Sequence, residues 1–202
     1  MREPEISQRK ELTTCENMNI EQLRDIYFSI PSRYRQITFI EAVELYKLAK
    51  EEEAEGDIVE IGTGTSTIFM ALGSEESGRR HIHTIDNKTS VQELTKFLSP
   101  DLITAIKGDS LDIAAKWHGP IRLLFLDGNH SYDYVRKEFE LLEPWLSING
   151  LVIFHDAIPT NPRDPYRAFV DLMSDKTFTD IKYIDDSTHE HGMAIARKIR
   201  GK

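Results

Sequence analysis

The chain has 202 residues, which is enough for one domain with a sizeable core and too few for two full ones. Its 40% hydrophobic and 29% charged residues are ordinary globular usage and exclude a largely disordered protein. The net charge of −9 repels phosphate backbones and anionic lipids, so it argues against nucleic acid or a membrane as partner and favours a small-molecule substrate.

A single cysteine, Cys15, leaves no partner for an intramolecular disulfide. The first residues are charged throughout, unlike a signal peptide, and no apolar run is long enough to span a bilayer. A reducing compartment favours such a composition, so we expect a cytoplasmic protein.

The first part of the chain, residues 1–55, predicts an N-terminal helical extension that packs on the core. Residues 1–17 are polar and aperiodic and predict a loose arm. Asn19 begins one capping pattern, and Thr38 with Glu41 three residues later forms a second one, so each predicts the start of a helix.

The second part, residues 56–202, alternates apolar strand patterns with helical ones and predicts the main domain. Near-continuous apolar strands separated by helices indicate a parallel sheet that is covered on both faces, the α/β class. The strand patterns fall at residues 57–61, 81–85, 102–106, 121–126, 151–154, 181–184 and 193–196.

A glycine-rich turn joins the first strand to a helix. Within it Gly62 and Gly64 allow a ligand to approach the backbone closely, and the helix N-terminus offers free N–H groups. Thr63 lies between the glycines. Such a turn also occurs for steric reasons alone, so its meaning depends on what accompanies it.

Acidic residues follow the next two strands and predict a nucleoside site. Asp86 ends the second strand, where a carboxylate can accept hydrogen bonds from both ribose hydroxyls. Asp109 and Ser110 follow the third strand and are expected near the adenine. Asp109 is equally suited to cap the helix that follows.

Two residues of the turn favour S-adenosylmethionine over a dinucleotide. A pyrophosphate site requires a third glycine, and that position holds Ser66. Glu60, just before the glycines, suits a cationic ligand, and S-adenosylmethionine carries an ammonium and a sulfonium. The predicted cofactor contacts are Glu60, Gly62, Thr63, Gly64, Ser66, Asp86, Asp109, Ser110 and Asp127.

Residues 59–156 resemble the class I S-adenosylmethionine-dependent methyltransferases. More narrowly they are similar to the metal-dependent O-methyltransferases, including the catechol O-methyltransferase group and the macrocin-type and cephalosporin-hydroxylase-like relatives. The resemblance implies a Rossmann-like three-layer α/β/α sandwich whose seven-stranded, mostly parallel sheet has one reversed strand. It rests on Val59-Glu60-Ile61-Gly62-Thr63-Gly64, His83-Thr84-Ile85-Asp86, Gly108-Asp109-Ser110, Leu126-Asp127-Gly128-Asn129-His130 and Phe154-His155-Asp156.

Two aspartates, Asp127 and Asp156, close the fourth and fifth strands. Adjacent parallel strands bring their carboxyl ends to one edge of a sheet, where two carboxylates repel each other unless a cation or a proton lies between them. Mg²⁺ fits such oxygen ligands and would lower the pKa of a bound hydroxyl. We therefore expect a divalent metal here, most simply Mg²⁺.

The resemblance implies a third metal ligand beside the second aspartate. That position holds His155, where relatives commonly carry Asp, Glu or Asn. As a nitrogen ligand, His155 would favour Mn²⁺, Fe²⁺ or Zn²⁺. The alternative is a structural role without direct ligation.

His130 stands where the catechol-type enzymes place their general base, so the resemblance implies that His130 and Asp127 are the catalytic residues. An imidazole suits proton abstraction near neutral pH. The alternative is a loop residue that orients Asp127. His189 and His191 fall in a predicted hairpin turn and are expected at the surface.

The sequence thus favours an S-adenosylmethionine-dependent methyltransferase that uses a divalent metal to methylate oxygen in a small hydroxylated molecule. The alternatives are a metal-independent class I methyltransferase with a histidine base and a non-catalytic cofactor-binding module. The chain leaves little room for a lid domain, which indicates an open site or one completed by a second copy in a homodimer.

Overall fold

The structure is a computed structural model that describes residues 18–51, 53–78, 80–88, 101–174, 176–186 and 191–201. The predicted loose arm with Cys15 and the position of His189 lie outside the described residues. Where the chain is described, no helix is both long and apolar enough to cross a membrane.

From the first strand onward, helices separate most of the strands of the described chain. Two short 3₁₀ helices, Ser32–Tyr34 and Glu143–Trp145, lie between the longer elements. In chain order these are α1 (Ile20–Ser29), α2 (Phe39–Lys50), β1 (Asp57–Ile61), α3 (Thr65–Glu76), β2 (Ile82–Asp86), β3 (Ile103–Lys107), α4 (Ser110–Ala114), β4 (Ile121–Leu126), α5 (Tyr132–Leu142), β5 (Leu146–His155), α6 (Asp164–Leu172), β6 (Phe178–Asp185) and β7 (Gly192–Lys198).

The strands form one seven-stranded sheet in the order β3-β2-β1-β4-β5-β7-β6. Strands β1 to β5 pair in parallel, and β7 runs antiparallel to both of its neighbours. The strand order reverses between β1 and β4, and ligands of open α/β sheets bind beyond the carboxyl ends of the strands at such a point. The predicted Rossmann-like fold with one reversed strand is confirmed.

Successive residues of a strand point to opposite faces of the sheet. Both faces are apolar because the central strands are apolar at nearly every position. Ile58 and Phe125 join the core under α1, α2 and α3, whereas Val59 and Leu124 join the core under α5 and α6. All four side chains are fully buried. Helices α1 and α2, which precede β1, therefore cover one face of the central strands together with α3.

The two helices before β1 begin at capping boxes, as their sequence patterns predict. The Asn19 side chain accepts hydrogen bonds from the first turn of α1, and the Thr38 side chain does the same for α2. In α2, Glu41 returns the bond, because its carboxylate accepts the Thr38 N–H at 2.6 Å.

Two strands are longer than their apolar patterns. β5 begins at Leu146 because the residues predicted to form a turn lie within the strand instead. They form an irregularity in its pairing, in which Asn149 takes a positive φ of 66°. β6 begins at Phe178 and has a similar break at Asp180, with φ 53°. Irregularities of this kind carry no apolar alternation, so the sequence pattern shows only the regular end of each strand.

Helices α2 and α3 approach each other closely at Gly73. A Cβ atom added there would overlap the carbonyl oxygen of Tyr46 and lie 3.0 Å from the Ala49 Cβ atom. The absence of a side chain at Gly73 thus lets the N-terminal helices pack on the domain.

We expect Gly73→Ala to destabilise the protein by about 1–3 kcal/mol, because overpacking outweighs the gain of about 1 kcal/mol in helix propensity. Urea unfolding measures the difference. Glu75→Ala, at an exposed position of the same helix, is the control and should change stability by less than about 0.5 kcal/mol. A Gly73→Ala protein as stable as the wild type would contradict the close packing of α2 on α3.

Candidate active site

A polar cavity lies beyond the carboxyl ends of β1, β2, β3 and β4. Two residues that the sequence did not single out for the cofactor, Gln36 and Tyr134, also border it. Six of the predicted cofactor residues line the cavity: Gly62, Thr63, Asp86, Asp109, Ser110 and Asp127.

The glycine turn takes its shape from the strand beside it. Gly62 has φ +92°, and a Cβ atom there would overlap the carbonyl of Asp127. The next residue, Thr63, donates its backbone N–H to Asp86 Oδ2 at 3.0 Å. Asp86 Oδ1 accepts the Lys88 N–H at 2.6 Å, so its carboxylate is held at the cavity wall.

Glu60 lies behind the turn and not at the cavity wall. It is fully buried and accepts hydrogen bonds from Ser66 Oγ at 2.5 Å and Thr67 Oγ1 at 2.6 Å. Burial raises its pKa to about 7, against these hydroxyl donors. Gly64 donates its N–H to the same Thr67 hydroxyl. Glu60, Gly64 and Ser66 thus tie β1 to α3, and their direct contact with a cofactor stays a prediction.

At the same cavity, Asp109 caps the following helix as the sequence predicts, and its contact with the adenine stays a prediction. Its Oδ1 accepts the Leu111 N–H at 2.9 Å and caps α4, while Oδ2 accepts the Tyr134 hydroxyl at 2.5 Å. Ser110 donates its hydroxyl to Glu138 Oε1 at 2.5 Å. Glu138 is fully buried, its Oε2 atom has no hydrogen-bond partner, and burial raises its pKa to about 7.

The two aspartates of β4 and β5 meet at the same edge, as the sequence predicts. β4 and β5 pair in register up to Leu126 and Phe154; Asp127 follows Leu126 directly, and Asp156 follows after His155. Asp156 has a positive φ of 55°, a conformation that aspartate tolerates better than most residues. Its side chain is buried, whereas Asp127 borders the cavity.

His155 lies between two carboxylates in the interior. Its Nδ1 atom is 2.9 Å from Asp127 Oδ1, and its Nε2 atom is 3.3 Å from Glu41 Oε1. Neither nitrogen is aligned for a hydrogen bond, so these contacts are ion pairs. Burial alone would lower the pKa of His155, but Asp127 and Glu41 raise it well above its usual value.

Three further side chains surround Asp156. His130 Nδ1 lies 2.7 Å from Oδ2, His191 Nδ1 lies 2.5 Å from Oδ1, and Arg163 lies 3.7 Å from Oδ2. Burial would raise the pKa of Asp156, but His130, His155 and His191 hold it well below its usual range. The hydrogen bond to Asp156 in turn raises the pKa of His130.

Two residues of this cluster were missed at the sequence level. Glu41 had only a capping role, and His191 was expected at the surface. His191 does remain partly exposed, yet its ring stacks on that of His155 with centroids 6.0 Å apart. No local pattern marks either residue, because each meets its partners only through the tertiary fold.

Comparison with known proteins identifies the central part of the chain. A family model described as a methyltransferase domain matches residues 59–157. This segment runs from β1 to the residue after Asp156, so it contains the glycine turn and both aspartates but not Glu41 or His191.

Solved structures of similar fold include O-methyltransferases. An O-methyltransferase from Bacillus cereus with S-adenosylhomocysteine is 17% identical over 89% of this chain and 90% of its own, with a TM-score of 0.67. TomG from Streptomyces achromogenes with S-adenosylmethionine is 18% identical over 92% and 91%, with a TM-score of 0.66. A putative caffeoyl-CoA O-methyltransferase from Staphylococcus aureus is 20% identical over 90% and 93%, also at 0.66. At such low identities, it is the TM-scores that establish a shared fold.

The buried carboxyl of Glu138 predicts a pH-dependent stability difference. Its folded-state pKa of about 7 exceeds the ordinary value of 4.5, so the folded protein binds this proton more tightly than the unfolded chain. The carboxyl therefore lowers stability as pH rises from about 4.5 to about 7. Glu138→Gln should gain stability relative to the wild type across this window, by up to about 3 kcal/mol.

Urea unfolding at pH 5 and pH 8 measures this difference. Glu140→Gln, an exposed position on the same helix, serves as the control and should show no such trend. A stability difference between Glu138→Gln and the wild type that is the same at both pH values would contradict the raised pKa.

Proposed function

We propose that the chain, a class I S-adenosylmethionine-dependent methyltransferase, transfers the methyl group to an oxygen atom of a small hydroxylated molecule, with His130 as the general base. The observation that carries the proposal is the pairing of His130 with Asp156 beside the cofactor cavity.

The cavity supports S-adenosylmethionine as the donor. Its walls combine a glycine turn with acids at the ends of β2 and β3, and two of the similar structures hold S-adenosylmethionine or its demethylated product. We expect Asp86 to accept hydrogen bonds from the ribose hydroxyls, and Asp109 and Ser110 to contact the adenine. We expect Asp127, at the β4 side of the cavity, to face the part of the cofactor that reacts.

The position of His130 suits proton abstraction. Because a carboxylate only accepts hydrogen bonds, the ring proton of the neutral form resides on Nδ1, which faces Asp156. The other nitrogen, Nε2, is then free to accept a proton. It lies 3.7 Å from Asp127 Oδ1, beyond hydrogen-bonding distance, on a half-exposed ring.

The reaction follows from this arrangement. The acceptor hydroxyl gives its proton to His130 Nε2, and its oxygen forms a bond to the methyl carbon of the sulfonium. The carbon–sulfur bond breaks, and its electron pair converts the sulfonium to the neutral thioether. Holding the two reactants in line is the main contribution of such a site, while Asp156 stabilises the imidazolium that forms.

A divalent metal between Asp127 and Asp156 is the second candidate, favoured by the meeting of two carboxylates. The side chains around them do not fit it in this arrangement. His155 Nδ1 is 2.9 Å from Asp127 Oδ1 and 3.8 Å from Asp156 Oδ1, so a ring nitrogen occupies the space between them. Both Asp156 oxygens face histidines. Among the described residues, no three acid, histidine or cysteine side chains are grouped to hold a metal.

The first test is calorimetric titration with S-adenosylmethionine and with NAD, followed by an assay of methyl transfer to a panel of catechols, hydroxybenzoates and sugars. We expect binding of S-adenosylmethionine but not of NAD, and transfer to at least one hydroxylated acceptor. Transfer should persist in excess EDTA, because histidines balance the two carboxylates.

Loss of transfer in EDTA and its recovery with Mg²⁺ would replace the proposed mechanism by the metal-assisted one. In that case Asp127→Ala should also abolish the heat of Mg²⁺ binding. Cofactor binding without transfer to any acceptor would favour a binding module, and no binding of S-adenosylmethionine would contradict the proposal as a whole.

The pairing of His130 with Asp156 predicts the pH dependence of transfer. His130 acts as a base only when neutral, so the rate should rise with pH and reach half of its maximum above pH 6.5, because Asp156 raises the pKa of His130. In Asp156→Asn the midpoint should move to lower pH, and kcat should fall by about 100-fold.

The control for this profile is Asp171→Asn, which removes an exposed carboxylate that accepts the Tyr132 hydroxyl. It should leave the midpoint unchanged. An Asp156→Asn midpoint equal to that of the wild type would contradict the role of His130 as the base.

A further inference from the structure

We infer that Glu41, on the N-terminal helix α2, is a positioning residue that acts through His155 on the Asp127 carboxylate. Glu41 lies outside the segment that matches the methyltransferase domain. The kinetic part of this inference rests on the proposed function, whereas its structural part concerns contacts that exist without an acceptor.

The two oxygens of the Glu41 carboxylate make different contacts. Oε2 accepts the Thr38 N–H at 2.6 Å and closes the capping box of α2. Oε1 makes no hydrogen bond, although the residue is fully buried, and it faces His155 Nε2 at 3.3 Å. A cap needs one carboxylate oxygen, and water can solvate the other when the helix end is exposed. Here the second oxygen is buried against the histidine.

His155 links Glu41 to Asp127 because each of its two ring nitrogens contacts one of the two carboxylates. With Nε2 next to Glu41, the opposite ring atom Nδ1 lies 2.9 Å from Asp127 Oδ1. The ring is confined by neighbouring rings, with the His191 centroid at 6.0 Å and the Phe125 centroid at 6.3 Å. Both nitrogens of a protonated imidazole carry hydrogens, so His155 can face a carboxylate on each side, and Glu41 holds the ring on the side away from Asp127.

Asp127 is the residue through which these contacts affect the candidate active site. It borders the cofactor cavity, and its Oδ1 lies 3.7 Å from His130 Nε2, the nitrogen assigned to proton abstraction. An Asp127 carboxylate that turned away from His155 would change the surroundings of both the base and the cofactor. The N-terminal extension thus contributes a residue to the organisation of the site in addition to covering the sheet.

A capping role alone and a positioning role can be separated, because the capping box has a second member. Thr38→Ala removes the hydrogen bond from the Glu41 N–H to Thr38 Oγ1 and leaves the Glu41 carboxylate on His155. Glu41→Gln keeps an oxygen that can accept the Thr38 N–H but removes the negative charge from His155.

The test compares these two variants with the wild type in the presence of S-adenosylhomocysteine. We expect the imidazole ¹⁵N signals of His155 to shift in Glu41→Gln and to stay in place in Thr38→Ala, which should instead lower the melting temperature. The affinity for S-adenosylhomocysteine should change less than threefold in both. With an acceptor from the panel, kcat of Glu41→Gln should fall about tenfold at an unchanged acceptor KM.

Glu41→Asp provides a second variant if Glu41→Gln fails to fold, since it keeps the charge but shortens its reach to His155. Its ¹⁵N shifts and kcat should lie between those of the wild type and Glu41→Gln. Unshifted His155 signals in every folded Glu41 variant, or equal effects of Glu41→Gln and Thr38→Ala on kcat, would overturn the inference. The ¹⁵N measurement needs no acceptor, so its outcome stands apart from that of the proposed function.

Discussion

The arrangement of this site depends on one electrostatic constraint, which is that Asp127 and Asp156 meet at the ends of two paired strands. Parallel pairing of β4 and β5 brings the two carboxylates to one edge, and burial of Asp156 removes the water that would otherwise screen them. Compensation has to come from neighbouring side chains. His130, His155 and His191 provide it from three different segments of the chain.

The same strand ends shape the cofactor cavity. The backbone of Asp127 leaves no room for a side chain at Gly62, so the glycine turn lies directly against the end of β4. Thr63 is in turn hydrogen-bonded to Asp86 across the cavity wall. The side chain of Asp127 therefore takes part in the acidic cluster while its main chain limits the position of the turn. Cofactor geometry and the charge balance of the cluster are consequently coupled through one residue.

The sequence predicted those features of the molecule whose structure follows directly from a local residue pattern. Apolar strands followed by polar residues located the sheet, the glycine turn, Asp86 and the pair Asp127 and Asp156, because parallel topology brings all strand ends to one edge. The capping pattern of Thr38 likewise located the start of α2.

Contacts between distant segments could not be predicted in this way. Glu41 and His155 belong to different segments, and their meeting depends on how α2 packs across the sheet, which a close approach at Gly73 permits. Glu60 illustrates a different limit. Its charge predicts contact with a cationic ligand, which stays a prediction, and the structure adds that the hydroxyls of Ser66 and Thr67 donate hydrogen bonds to it behind the turn. The sequence shows that the motif contains a carboxylate. It does not show whether that carboxylate contacts a ligand or the neighbouring helix.

The histidine at position 155 connects these observations to the question of a metal. The resemblance implies an acid or an amide at this position, and an acid there would add to the negative charge of Asp127 and Asp156. A protonated imidazole replaces that negative charge by a positive one, which removes much of the electrostatic demand for a divalent cation. For the imidazole to remain charged in the interior, a carboxylate must also face its other ring nitrogen. Glu41 faces that nitrogen. The departure from the family pattern at His155 and the buried acid on α2 are therefore best understood as one feature, in which the N-terminal helix contributes to balancing the charge of the active site.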